Sequence, residues 1–120
     1  MENALFALPI LEGKAAAARA FLAELEGSRK ADYATSEQRL GITKEVWAMQ
    51  NTPMGDLFVV FFQAPDIPGA VGQFIQSNDA FDLWFKDQVK EATGVDLNVP
   101  LTGPLSDVLS VYEAQLAPTG

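Results

Sequence analysis

With no cysteine and no histidine among its 120 residues, the chain forms no disulfide, no thiolate or imidazole metal site, and no Ser-His-Asp or Cys-His nucleophile. Its 48% apolar content, with eight Phe, two Trp and two Tyr, describes one folded domain over 1–120 that buries about two thirds of the surface of its extended chain. The net charge of −8 lies wholly beyond Lys44, because six basic and six acidic residues cancel up to that point, and positions 45–85 hold no Lys or Arg; such a field repels nucleic acid and anionic membrane surfaces alike.

The N-terminal stretch MENALFALPILEGK carries an acid rather than a base ahead of a short apolar run, which fits neither a secretory signal nor a membrane span. With no cysteine to mark an oxidising compartment, the expected location is cytoplasmic. Positions 3–10 read as a buried strand. Positions 13–26, rich in Ala and Leu, read as a helix whose inward stripe is Ala17, Phe21 and Leu25, with Ala18 and Leu22 beside it. Ser28 is placed to cap a second, polar helix that ends at Gly41, a residue suited to a left-handed cap. That helix has only Ala31, Tyr33, Ala34 and Leu40 to anchor it. Its Arg29, Tyr33, Ser36 and Arg39 belong either to a solvated face or to the rim of a pocket.

A second strand over 43–51 sets Glu45, Trp47 and Met49 on one side and Val46, Ala48 and Gln50 on the other. Pro53 and Gly55 suit a type I turn, and a third strand then carries Leu57, Val59 and Phe61 on one face and Phe58, Val60 and Phe62 on the other, so that neither face suits water. Asp66 and Pro68 open a short helix with Val71, Phe74 and Ile75 at helical spacing. Asp79 caps a longer helix to about position 93, with Phe81, Trp84, Phe85, Val89 and Ala92 inward and Gly94 at its end; Asp82 and Lys86 are expected as an i,i+4 pair on its outer side. Beyond a Pro/Gly linker at about 100–104, the segment 105–116 fits either helix or strand. A strand is favoured because it would cover an edge of the sheet.

Chemistry is narrowed further by what the loops lack. Neither PGAVGQF nor GPLSDV has the context of a phosphate-binding loop, and the nearest acidic pair, Asp79 and Asp82, reads as a cap and a surface residue rather than a metal site. No cofactor is expected. What remains is an apolar pocket with a few polar groups, for which the candidate ligand-binding residues are Tyr33, Arg39, Trp47, Gln50 and Trp84, with Arg29 nearby. Each has a plainer reading: the Trp side chains as core, Gln50 as a strand-end partner, the Arg residues as surface pairs.

The element order, strand, helix pair, hairpin of strands, helix pair, strand, is that of an α+β, ferredoxin-like split βαβ sandwich with an antiparallel sheet. Together with the two-sided apolar strands around Trp47 to Gln50 and Leu57 to Phe62, it resembles the dimeric α+β barrel proteins, most closely small bacterial members without an assigned activity. The resemblance implies that two copies pair their sheets face to face as a homodimer, with helices outside. Members of that superfamily include cofactor-independent monooxygenases and cyclases of aromatic polyketides, and haem-binding enzymes with a histidine ligand, which this chain lacks. No family catalytic motif matches. The expectation is a dimeric binder of a small, mostly apolar molecule. The alternatives are a monooxygenase or cyclase in which Tyr33 and Arg39 orient a phenolic or keto substrate between Trp47 and Trp84, and a structural or regulatory interaction protein without a pocket.

Overall fold

Strand β3 (Gly55–Ala64), apolar on both sides, takes the central place in a three-stranded antiparallel sheet of order β1-β3-β2, between β1 (Glu2–Pro9) and β2 (Lys44–Thr52). The computed structural model describes residues 1–100 and 106–114. Four helices, α1 (Ala15–Glu26), α2 (Lys30–Leu40), α3 (Ile67–Gln76) and α4 (Ala80–Thr93), complete an α+β fold. None of the described helices is long and apolar enough to cross a membrane.

Register decides which side chains meet the helices. Phe6 and Trp47 both pair with Val60, and Ala4 and Glu45 with Phe62, so these residues share one face. On that face Ala4, Leu8, Phe58, Val60 and Phe62 are buried. Phe21 of α1 is the aromatic hub above them, meeting Trp47, Phe58, Trp84 and Phe85 edge to face with ring centroids 5.1–6.4 Å apart. The opposite face carries Leu5, Val46, Val59 and Phe61, of which Leu5 and Val46 are 40% and 44% exposed.

Most helix ends follow the sequence signals. Asp66 and Asp79 accept hydrogen bonds from the Gly69 and Phe81 N–H groups, and Gly41 and Gly94 close α2 and α4 in the left-handed conformation. Three expectations are corrected. Ser28 does not cap α2: the cap is Arg29, because the chain leaves α1 through backbone hydrogen bonds from Arg29 and Lys30 to the Glu24 and Gly27 carbonyls. The α1 stripe is Ala18, Phe21 and Leu25, and Ala17 is exposed: the buried positions follow the i, i+3, i+7 spacing, which puts Ala18 rather than Ala17 over the core. Asp82 and Lys86 are not on an outer surface but buried, because α2 and the α3–α4 junction close over them with polar groups.

The fourth strand is not formed over 106–114. This segment has neither helix nor strand; the Ser106 N–H donates to the Leu5 carbonyl at the β1 edge (3.2 Å), and Val108 and Val111 flank a shallow groove with Asn3, Leu5, Phe61 and Gln63. Leu109 and Tyr112 stay open to water, so no apolar contact fixes a ladder there. The linker at 101–104 and positions 105, 115 and 116 lie outside the described residues.

Candidate functional site

Between the sheet and α2, α3 and α4 the packing leaves a cavity of about 90 Å³. Its walls come from every side. The sheet contributes Phe6, Glu45, Trp47 and Phe62; α2 contributes Ser36, Glu37 and Leu40; α3 contributes Ala70, Val71, Phe74 and Ile75; α4 contributes Phe81 and Phe85; and Leu97 and Val99 follow α4. The strand period of two turns Glu45 and Trp47 to the same side, and the helical period brings Glu37 and Leu40 together with Ser36.

Two carboxyl groups stand on this otherwise apolar wall. Glu45 accepts hydrogen bonds from the Tyr33 hydroxyl and from Trp47 Nε1, the latter at 3.1 Å. Burial raises the pKa of Glu45, and these two donors oppose the rise by favouring its charged form. Burial, followed by the charge of Glu45, also raises the Tyr33 phenol, which therefore keeps its proton and acts as the donor. Glu37 is pushed up to about 9, first by burial and then by the negative charges of Glu45 and Asp82. The shift favours the protonated, carboxylic acid form. Its Oε2 is buried and finds no hydrogen-bond partner among the described residues, which is uncommon for a buried oxygen.

Beside the cavity lies a polar knot centred on Asp82. Its carboxylate accepts from Ser36 Oγ, Ser77 Oγ and Arg39 Nη2, each at 2.5 Å, and the Arg39 guanidinium also lies 3.9 Å from Asp79. Lys86 Nζ donates to the Ile75 and Ser77 carbonyls at 3.1 and 3.0 Å, holding the last turn of α3.

The candidate residues from the sequence are therefore divided. Trp47 is on the cavity wall. Tyr33 stands behind Glu45 and packs its ring against Phe81 and Phe85. Arg39 is engaged with Asp82, and Trp84 packs on Phe21 and Phe81 beneath the Arg29 guanidinium, 4.1 Å from its ring; neither lines the cavity. Gln50 pairs with Leu57 on the opposite face of the sheet and is exposed, because the same alternation that turns Trp47 inward turns Gln50 outward. Glu37 and Glu45 were missed. For Glu45 a signal was present, a charge in line with Trp47 and Met49 on the inward side of its strand; Glu37 sits in a polar helix where nothing distinguishes it.

No protein-family model and no curated protein matches the chain. A solved structure does: tetracenomycin F2 cyclase from Streptomyces glaucescens, a type-II polyketide cyclase, is 15% identical over 98% of this chain and 100% of that one, with a TM-score of 0.50. At this identity the likeness is one of α+β fold alone.

Proposed function

We propose that the protein binds a small, mostly apolar molecule in the cavity between its sheet and helices. The observation that carries this reading is the wall itself: aromatic and aliphatic side chains from both layers, interrupted by two carboxyl groups, which is the common make-up of a small-molecule site. The test is a calorimetric titration with benzene, a neutral apolar probe on the scale of the cavity. Saturable binding to the native protein and its loss in Val71→Trp, which fills the cavity from α3, is the expected result; binding that is indifferent to Val71→Trp would place the probe elsewhere and refute the reading. The cavity counts against an interaction protein with no pocket.

A second reading, a cofactor-independent cyclase, is favoured by one specific feature, the raised carboxyl of Glu37 on the cavity wall, and a polyketide cyclase is among the proteins that share this α+β fold. In this reading Glu37, rather than Tyr33 and Arg39, gives a proton to a ketone oxygen as an enol carbon attacks the carbonyl carbon and closes the ring; the enol hydroxyl proton released in that step restores the Glu37 acid, and the new alcohol then loses its hydroxyl with an α-hydrogen as water. Turnover of a poly-β-ketone by the native protein and its loss in Glu37→Gln would support the enzyme; undiminished turnover in the variant would exclude this role. The dimer belongs to the same proposal, with a second copy covering Leu5, Val46, Val59 and Phe61 on the open sheet face.

A further inference from the structure

The cavity wall has few polar atoms, and most are already engaged. The Tyr33 hydroxyl and the Trp47 indole N–H both point to Glu45, and the Ser36 hydroxyl donates to Asp82. The apolar side chains of α3 and α4 offer nothing. Glu37 alone combines a place on the wall with a buried oxygen that has no partner among the described residues. A buried oxygen left in that condition costs stability unless something occupies it.

We propose that Glu37 is the polar anchor of the cavity, donating its carboxyl proton to an oxygen of a neutral ligand whose remaining body is apolar, and that the cavity rejects carboxylates of the same shape. This rests on the small-molecule reading above and adds the charge and hydrogen-bonding character of the ligand. The charged groups around Glu37 support it. Glu45 faces it from β2 and Asp82 from α4; both are acidic, and the one cation close by on α2, Arg39, is already paired with Asp82. An anionic ligand would meet Glu45 at the wall and feel Asp82 beyond it, with no free cation among the described residues at the wall. A neutral ketone, ester or phenol meets a donor, and in the phenol's case an acceptor as well.

Three probes of one shape, each on the scale of the cavity, separate the possibilities: butanone, its carboxylate counterpart propanoate, and the oxygen-free 2-methylbutane. Binding is followed by equilibrium dialysis at neutral pH on the native protein, Glu37→Leu and Glu37→Gln, each first checked for native circular dichroism. The native protein is expected to prefer the ketone to the carboxylate by at least about tenfold. Glu37→Leu is expected to weaken the ketone about tenfold, the scale of one hydrogen bond to a buried group, while leaving the hydrocarbon unchanged; Glu37→Gln, which keeps a donor, retains the ketone. If the ketone binds Glu37→Leu as well as it binds the native protein, or if propanoate binds the native protein as tightly as the ketone, the anchor is refuted while the binding site stands. If none of the three binds the native protein, both the anchor and the small-molecule reading fall.

Discussion

A carboxyl at position 37 ionises around 4.5 when unperturbed and around 9 in this fold. Between those two values the native protein holds a proton that the unfolded chain has lost, so stability is greatest on the acid side and falls as pH rises through the window. Glu45, also raised, acts in the same direction. A thermal melt at about pH 8.5 is expected to fall below one at about pH 5.5, and Glu37→Gln should flatten that slope, since its amide has no proton to lose. A slope unaltered by the substitution would remove Glu37 as its cause. Asp82 presents the opposite case, a buried carboxylate with three donors. Asp82→Ala strands Ser36 and Ser77 without their acceptor and should cost about 3 kcal/mol in urea denaturation. Neither role is written in the residue type. Asp82 has the i,i+4 spacing to Lys86 that usually marks a solvated helix face, and only the closure of α2 and the α3–α4 junction over it reverses that reading.

At the scale of elements, strand alternation and helix caps carried most of the information. The third strand declared itself apolar on both faces, and Asp66, Asp79, Gly41 and Gly94 marked helix ends, because each of those features depends on neighbours a few residues away. What failed to appear in the sequence depends on distant partners: the rotation of the α1 stripe, the fate of the C-terminal segment, and which polar side chains enclose a cavity. The α3 cap offers a test of local coupling. A Cβ added at Gly69 would stand 2.3 Å from Asp66 Oδ2, within the cap itself. Gly69→Ala should therefore fail to give the gain of up to about 1 kcal/mol that alanine normally brings to a helix, yet give it in an Asp66→Ala background. Additive effects of the two substitutions in denaturation curves would show that the cap and the alanine do not compete.

For the whole molecule the open question is the second face of the sheet. Leu5, Val46, Val59 and Phe61 form an apolar strip on one side of all three strands, and residues 106–114 flank one edge of it without forming a strand. Light scattering after size exclusion is expected to give twice the chain mass of 13.0 kDa at micromolar concentration, and Phe61→Lys on β3 is expected to return it to 13.0 kDa. A native protein that runs as a monomer would leave the strip uncovered and the face-to-face arrangement without support.

The fastening of α3 has a consequence for time rather than affinity. Its first turn is tied to β1 by the Ile67 N–H on Glu2 Oε1 at 2.8 Å, and its last turn is held by Lys86. The helix wall of the cavity is thus clamped at both ends, while Leu97 and Val99, on a stretch without helix or strand, form the remaining side. On the proposal that the cavity holds a guest, exchange through the least anchored wall would make its residence time follow the opening of this loop and not the partial unfolding of a helix. Asp96→Ala, which loosens the stretch by removing the acceptor of the Asn98 N–H and side-chain amide without touching the cavity wall, should then change how fast a ligand enters and leaves by the same factor, leaving the equilibrium nearly untouched.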